Sequence, residues 1–543
     1  MKKHIALSAS LFTVLTAAAS LPCAAQDAPS IKKTQSQLTT NMVDQAVYYE
    51  ATSMLRFDRL YRKLFNKKLH AEDINVYDEV PDSSFFVNRH ARSPLSAAAL
   101  EKGYAENEGP SAEGILTVMK GKSEGLHPGF FIKDSRGDFY LLKFDDLLNF
   151  ELNTSAEIIA SRFYHAIGYN VPQYTVFTFS PDQMVPAPEA RMVDRNGFKQ
   201  PLTQEMLQQY IMHLPHDDQG RLRASASKIL KGENKGPFSF EGRRKNDPED
   251  TIDHERRRSI RALQVFASWL NNNDVRHANT LDMWVTEEGR SFLKHYLIDF
   301  NATLGGAAGG AKPPMFNHEY FLDYGAIAKN YFALGFRKSD WQKRLEEQGP
   351  VELKPAAIGY FDNNRFSPKD FKVQLPYYAF KDLTRADGFW AAKIIARFTD
   401  DDIQAMIRAG KLTNPEDADT LFQLLSERRD IIARYWFSEA SPLDQFSLKD
   451  SHLAFSDLEI LRGYMQAEGT IYTAEGYAGA GRKGSRLGTV ESSSQELTLP
   501  EEWKSEEVLT LILRVKRPGE DDARPYVLVE IKDGKITRLL HQD

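Results

Sequence analysis

Apolar and polar positions across residues 111–180 form short runs broken by glycine, a pattern that predicts strands. Three runs have the length and aromatic content of strands: GILTVMK (114–120), GFFIKD (129–134) and DFYLLKF (138–144). DSRG, between the second and third runs, has Asp and Gly at the first and last positions of a hairpin turn. A helical period covers 154–167 and ends at Gly168, and VPQYTVFTF predicts a further strand. Together these elements predict a small mixed sheet with one helix laid on it.

The pattern becomes helical near residue 250 and returns to strands in the C-terminal part. Asp253 is a candidate N-cap for an amphipathic helix that reaches about residue 270. Other helical patterns cover 43–66, 317–335, 388–410 and 414–437. Residues 447–543 alternate in short runs, with KDG as a hairpin turn. We therefore expect a separate β-sandwich-like module at the C-terminus.

The first 25 residues predict export. Two lysines, an apolar stretch and the small residues before Gln26 form a secretory signal with cleavage after Ala25. Cys23 is the single cysteine and leaves with this signal, so the mature chain has no disulfide. That is typical of a bacterial periplasmic or secreted protein of this size. Acylation of Cys23, as in a lipoprotein, is the alternative.

Charge and hydropathy exclude two classes of partner. The formal net charge of −6 becomes −8 when Lys2 and Lys3 leave with the signal, which disfavours nucleic acid. No later stretch approaches the roughly 20 apolar residues of a transmembrane helix. We expect an exported protein without a transmembrane segment.

Two charged residues on predicted elements suggest a phosphate site. Lys143 ends the third strand, where its ammonium can reach the α- and β-phosphates of a nucleotide. Glu157 lies on the following helix and can hold that lysine in place. A solvated surface pair is the alternative interpretation.

The glycines that precede Lys143 suggest a loop over the same phosphates. Gly121, Ser123, Gly125 and Gly129 lie in GKSEGLHPGF, whose backbone N–H groups can face phosphate oxygens. A P-loop is excluded, because that motif needs glycine at position 116, which is Leu. An ordinary loop is the alternative.

Three further residues follow in NNNDVRHANTL and HYLIDFNATL. Asp274 would orient a substrate hydroxyl and accept its proton, and Asn279, five residues on, would bind Mg²⁺. Asp299 lies at a strand end before Phe300, which suits a second Mg²⁺ ligand, although an ordinary turn residue also fits.

The order of these residues resembles the protein-kinase-like superfamily, in particular the atypical branch with the HipA-like serine/threonine kinases and the phosphoinositide lipid kinases. The resemblance covers about 111–440. It implies an α+β, two-lobed kinase-like fold that binds ATP and Mg²⁺ through the residues named above. The chain also resembles a group of exported bacterial proteins through DEVPDSSFFVNR and GYFDNNRF, which implies no particular activity.

We expect the following organisation. The chain divides into a signal peptide (1–25), an N-terminal extension (26–110), a β-rich N-lobe (111–235), a helical C-lobe (236–446) and a C-terminal β-rich domain (447–543).

The chain departs from the usual kinase pattern at three places. Asn272-Asn273 replaces His-Arg before the catalytic aspartate, and Asn301 replaces the glycine after Asp-Phe. GGAAGG at 305–310 would loosen the following segment. Arg276 and His277 would either touch phosphate or lie at the surface.

These patterns leave four functions open. The first is phosphate transfer to a hydroxyl of a protein, lipid or sugar. The others are an exported pseudokinase that binds nucleotide or a partner without turnover, nucleotidyl transfer on the same fold, and a surface-binding protein that acts through its β-rich tail.

Three other motifs have simpler interpretations. GAGRKG (479–484) matches the dinucleotide fingerprint, but it lies in the β-rich tail and predicts a loop. His213, His216 and Asp217 predict a polar loop, and the basic run 256–258 a solvated face.

Overall fold

The computed structural model describes residues 31–34, 57–65, 67–122, 129–193, 198–307, 309–334, 336–347, 355–520 and 524–542. The predicted signal peptide, most of the helix predicted over 43–66, and Ser123 and Gly125 of the glycine loop lie outside these residues.

A seven-stranded mixed sheet forms the first part of the molecule, in the order β4-β7-β3-β2-β1-β5-β6. Its strands and the neighbouring helices are α1 (Phe57–Leu64), α2 (Ala97–Lys102), β1 (Leu116–Gly121), β2 (Gly129–Lys133), β3 (Phe139–Phe144), α3 (Leu152–Ile167), β4 (Tyr174–Phe179), β5 (Met184–Val193), β6 (Lys199–Pro201), α4 (Gln204–Ile211) and β7 (Leu222–Lys228). β1 and β5 pair in parallel, and the other neighbours pair antiparallel. The predicted strands and helix are confirmed, and Gly137 N–H donates to Asp134 O across the predicted turn (3.0 Å).

The middle of the chain is mostly helical. It contains β8 (Glu233–Gly236), α5 (Arg258–Arg261), α6 (Leu263–Trp269), β9 (Thr280–Glu287), β10 (Arg290–Leu297), β11 (Gly306–Ala307), β12 (Gly310–Ala311), α7 (Tyr324–Phe332), α8 (Asp340–Glu347), α9 (Tyr378–Lys381), α10 (Arg385–Arg397), α11 (Asp400–Arg408) and α12 (Pro415–Glu439). The pattern over 388–410 is two helices, because Thr399 starts a new one with a capping box to Asp402. Helices α3, α6, α10 and α12 bury their apolar faces in one continuous core.

The helix predicted from Asp253 begins later than expected. The Asp253 side chain makes no capping hydrogen bond and lies 3.2 Å from Arg243. Helix α5 is capped instead by Asp73, whose carboxylate accepts from the backbone N–H groups of Arg258 and Ser259. The cap is supplied by a residue far away in sequence, so local spacing could not reveal it.

The prediction of a solvated basic face at 256–258 is wrong for two of its three residues, since only Arg256 is partly exposed. Arg257 and Arg258 are buried, and Arg258 lies 2.8 Å from Asp78 and 3.0 Å from Asp387. The two carboxylates compensate the charge of this buried guanidinium. Arg258 therefore joins the segment of Asp78 to α10.

The C-terminal part contains two antiparallel sheets. They are built from β13 (Leu443–Lys449), β14 (His452–Asp457), β15 (Ile471–Ala478), β16 (Arg486–Ser492), β17 (Glu496–Thr498), β18 (Val508–Lys516), β19 (Val527–Lys532) and β20 (Lys535–His541), with the short helix α13 (Leu458–Leu461). The orders are β13-β14-β17 and β16-β15-β18-β19-β20, and apolar side chains of both sheets share one buried cluster. Asp533 and Gly534 form the KDG turn, both with positive φ.

Candidate active site

Lys143 and Glu157 form a buried ion pair. Lys143 lies on β3 between β2 and β7, and Glu157 lies on α3, which packs against this sheet. Their Nζ and Oε1 atoms are 2.6 Å apart, and the two residues are 5% and 0% exposed. The alternative of a solvated surface pair is therefore wrong.

Asp299 joins this pair from a distant part of the chain. Its Oδ1 lies 2.8 Å from Lys143 Nζ. Its backbone is left-handed (φ 64°), and its N–H donates to Tyr174 Oη at 3.1 Å. Burial alone would lower the pKa of Lys143, but the carboxylates of Asp299 and Glu157 raise it above the ordinary lysine value. Lys143 is thus held charged between two acids.

Asp274 and Asn279 form a second group on residues 271–279, here termed the catalytic loop after its predicted role. Asn279 Nδ2 donates to the backbone O of Asp274 (2.7 Å) and to its Oδ2 (3.0 Å). Asn272 Oδ1 accepts from the N–H of Asp274 (3.0 Å). Burial raises the pKa of Asp274 to about 6, against the opposing charge of Arg276.

One cavity brings the two groups together. Asp274, Asn279, Asp299 and Phe300 all line it. Asp299 also contacts Lys143, so this carboxylate links the buried ion pair to the wall of the cavity. All five charged or amide residues predicted from the sequence are therefore placed at one site.

The described part of the glycine loop begins next to Lys143. Lys122 N–H donates to Gly129 O (2.8 Å), which closes the base of a hairpin between β1 and β2. Gly121 ends β1, and Gly129 pairs directly with Lys143 in the sheet register. A Cβ on Gly129 would lie 2.6 Å from the backbone O of Leu142, so this position admits no side chain.

Two residues that support the site were not found from the sequence. Ser225, on β7, donates its hydroxyl to Glu157 Oε2. Lys312 is buried and donates to the backbone O of Asn271 at the start of the catalytic loop. Both act across more than one element, so no local pattern marks them.

Arg276 and His277, for which the sequence left a phosphate contact or a surface position open, take different places. Arg276 Nε lies 3.0 Å from Asp274 Oδ1, so Arg276 belongs to the site. His277 is half-buried and accepts from Phe240 N–H.

The helix of Glu157 is fixed by a buried carboxylate. Asp145 accepts from the backbone N–H groups of Glu151, Asn153 and Thr154 at the start of α3. Burial raises the pKa of Asp145 to about 6, although these hydrogen bonds oppose the shift. Because Asp145 directly follows β3, it sets the position of Glu157 relative to Lys143.

Comparisons with known proteins find similarity to kinases among solved structures. No protein-family model and no curated protein matches the chain. The chain is similar to the Helicobacter pylori proinflammatory kinase CtkA, with a TM-score of 0.31 and 13% identity over 60% of this chain and 97% of that one. It is also similar to the Golgi casein kinase, with a TM-score of 0.29 and 8% identity over 74% of this chain and 91% of that one.

A second Golgi casein kinase structure, with Mn/ADP bound, has a TM-score of 0.29 and 8% identity over 74% of this chain and 90% of that one. These structural neighbours are protein kinases. TM-scores this low do not establish a shared fold, so the function is inferred from the site.

The remaining motifs take no part in the site. GAGRKG lies between β15 and β16 and contains a short 3-10 turn, as predicted for a loop. Asp217 accepts from the N–H of Arg221, and within the described ranges no group of three or more His, Cys, Asp or Glu residues is arranged to hold a metal. Nor does that part of the chain contain a helix that is long and apolar enough to span a membrane.

Proposed function

We propose that the protein is an ATP- and Mg²⁺-dependent phosphotransferase of the protein-kinase-like type, with a HipA-like, two-lobed arrangement. The observation that carries this proposal is the joint placement of its charges. Lys143 Nζ contacts Glu157 and Asp299, and Asp299 shares a cavity with Asp274 and Asn279. Phosphoryl transfer needs a fixed cation for the phosphates, oxygen ligands for Mg²⁺ and an oriented hydroxyl. The five residues supply these three requirements.

Lys143 is suited to hold the nucleotide phosphates. Glu157, which is itself held by Ser225, fixes it from one side, and its ammonium reaches Asp299 on the other. Gly129, at one end of the predicted glycine loop, pairs with Lys143 in the sheet, and backbone N–H groups of that loop would cover the phosphates. Binding would replace part of the contact between Lys143 and Asp299.

The donor set fits Mg²⁺, which prefers carboxylate and carbonyl oxygens and completes its shell with water and phosphate. Asp299 offers a carboxylate. Asn279 turns its Nδ2 towards Asp274, which leaves Oδ1 as its ligand atom. Bound there, Mg²⁺ would neutralise charge on the phosphate oxygens.

Asp274 is suited to receive the proton of the acceptor. A hydroxyl of a protein, lipid or sugar would attack the terminal phosphorus, the bond to the bridging oxygen of ADP would break, and the hydroxyl proton would pass to Asp274. Arg276, beside Asp274, keeps this carboxylate oriented. Nucleotidyl transfer on the same fold is the alternative, and intact-mass spectrometry separates phosphate from AMP by the added mass.

Thermal unfolding tests nucleotide binding. We expect ATP with Mg²⁺ to raise the Tm, by mass action equivalent to about 2.7 kcal/mol at a ligand concentration of roughly 100 Kd. Asp299→Asn should lose the Mg²⁺-dependent part of this Tm increase. The substitution should not disturb the backbone, because Asn tolerates the left-handed conformation at this position. The exposed Asp218→Asn is the matched control. An equal shift in Asp299→Asn and the native protein would contradict the metal role of Asp299.

The pH dependence of ADP release tests the role of Asp274. Because burial raises its pKa to about 6, the base form is populated above that pH and lost below it. We expect kcat/KM to fall on the acid side with an apparent pKa of about 6, measured at constant ionic strength. An acid limb at the ordinary aspartate value would contradict this assignment.

Two further features of the protein are proposed from the sequence. The N-terminal signal would direct it to the periplasm or outside the cell, and the C-terminal β-rich part would bind a surface or protein partner. Deletion of residues 447–543 followed by assays of activity and localisation tests the second proposal.

A further inference from the structure

A second polar cavity adjoins the catalytic loop at its first residue. It lies between α12, residues 316–318 and residues 360–371. Its polar lining includes Asn271, Asn317, His318, Asp362, Arg365 and Arg428. None of these residues lines the cavity of Asp274 and Asn279.

Arg428 presents a buried positive charge to this cavity. It is 2% exposed, and its guanidinium lies between the rings of Phe361 and Phe366, 4.2 Å and 4.1 Å from their centroids. Its hydrogen bonds within the described chain go to uncharged oxygens of Ser268, Asp362 and Asn363. The group is held rigidly, and none of these hydrogen bonds is to a carboxylate.

The charges that line the cavity are unbalanced. Arg365 forms an ion pair with Asp362. The charge of the same carboxylate is the one that most raises the pKa of Arg428. Burial lowers the pKa of Arg428 to about 9, against the opposing charge of Asp362. Burial and neighbouring arginines also lower the pKa of His318 to about 4, so its ring is neutral at pH 7. Two guanidinium groups therefore face one carboxylate.

We propose that this cavity binds a phosphate group, and that the bound phosphate acts on the catalytic loop through Asn271. Arginine forks match phosphate oxygens in geometry and charge. Phosphate is the shared chemistry of two sources: the free anion and a phosphorylated side chain of this protein. The site is separate from the nucleotide cavity. Binding of the free anion does not require the proposed phosphate transfer, whereas the phosphorylated side chain rests on it.

Asn271 connects the two cavities. It follows α6 with a left-handed backbone (φ 53°) and immediately precedes Asn272. Its Nδ2 donates to Tyr360 O at 3.0 Å, and its Oδ1 accepts from Asn317. Lys312 donates to its backbone O. A ligand that orders Tyr360 and Asn317 would therefore stiffen the start of the catalytic loop.

Titration of the full chain with sodium phosphate, against sodium chloride at matched ionic strength, tests the site. We expect a saturable rise in Tm for the native protein. Arg365→Gln should weaken the apparent affinity for phosphate by about tenfold or more. Arg365→Lys keeps the charge but lacks the planar guanidinium, so its affinity should lie between those of the native protein and Arg365→Gln. Asn317→Asp, a near-isosteric change that adds a negative charge, should weaken it as well. Far-UV circular dichroism checks that the variants fold.

Asp299→Asn separates this site from the proposed nucleotide site. It should keep the response to phosphate while it loses the response to ATP and Mg²⁺. Loss of the phosphate response in Asp299→Asn, with its retention in Arg365→Gln and Asn317→Asp, would overturn the proposal, as would a non-saturating shift of equal size in all variants. Failure of the ATP response alone would leave the phosphate site standing.

Intact-mass spectrometry distinguishes the two sources. If a phosphorylated side chain is the ligand, incubation with ATP and Mg²⁺ adds the mass of phosphate and removes the Tm response to free phosphate. If free phosphate is the ligand, the response persists after that incubation. A native protein that responds to phosphate neither before nor after incubation overturns both versions.

Discussion

Asp274→Asn is expected to reduce phosphate transfer by about 10²–10⁴-fold, the usual contribution of a positioned general base. The change removes the proton acceptor and keeps the shape of the side chain. The hydrogen bonds from Asp274 N–H to Asn272 and from Asn279 to Asp274 O involve the backbone and survive it. The asparagine oxygen can still accept from Asn279 Nδ2. The loss should therefore be chemical rather than structural.

The same variant should fold at least as well as the native protein. A raised folded pKa means that burial disfavours the ionised carboxylate, so at pH 7 an uncharged amide removes that penalty. We expect an unchanged or higher Tm and ATP affinity within a few-fold of the native value. ADP release under single-turnover conditions, with Asp218→Asn as the exposed control, provides the measurement. Turnover within about threefold of native would exclude Asp274 as the base.

Local patterns predict the elements of the site well. Alternation and glycine placement identify β1, β2 and β3, and the 3.6 period identifies α3, because each element packs one apolar face in a buried cluster, the strands in one cluster and the helix in another. The sequence also places Lys143 at a strand end and Glu157 fourteen residues later on the helix, and the structure joins them. The order of residues over this short stretch of sequence is sufficient to predict the ion pair.

Contacts between distant residues could not be predicted in the same way. Lys143 and Asp299 are 156 residues apart, and only the tertiary fold, which places the end of β10 beside β3, brings their side chains to 2.8 Å. The same holds for Asp73, which caps α5, and for Arg258, whose charge is compensated by Asp78 and Asp387. A basic run looks solvated in sequence because its acidic partners lie elsewhere in the chain. The sequence alone therefore does not show which distant carboxylates compensate a buried positive charge.

Helix boundaries also depend on both local sequence and distant contacts. The pattern over 388–410 is continuous in hydropathy, yet the chain breaks at Phe398, whose buried ring closes the core beside Trp269. Thr399 and Asp402 then restart the helix with a capping box. The capping residues are local and can be found in the sequence, whereas the contact of Phe398 with Trp269 is tertiary and cannot.

Lys143→Met is expected to cost about 3–5 kcal/mol of unfolding free energy and to abolish nucleotide-dependent stabilisation. The methionine keeps the apolar stem but leaves Glu157, which is fully buried, without its cation. Asp299 loses the same partner but is partly exposed, so water can solvate its carboxylate. Denaturant unfolding measures the loss, with the exposed strand lysine Lys133→Met as the control.

The double variant Lys143→Met/Glu157→Gln separates stability from function. Glutamine can still accept from Ser225 but carries no charge, so it removes the uncompensated acid. We expect it to recover more than half of the lost stability, a coupling typical of residues in direct contact. Nucleotide binding and phosphate transfer should stay absent, since no cation faces the phosphates. If the double variant regained activity, Lys143 would be a structural residue only. If Lys143→Met alone unfolded no more easily than Lys133→Met, the buried ion pair would not be the element that holds β3 and α3 together.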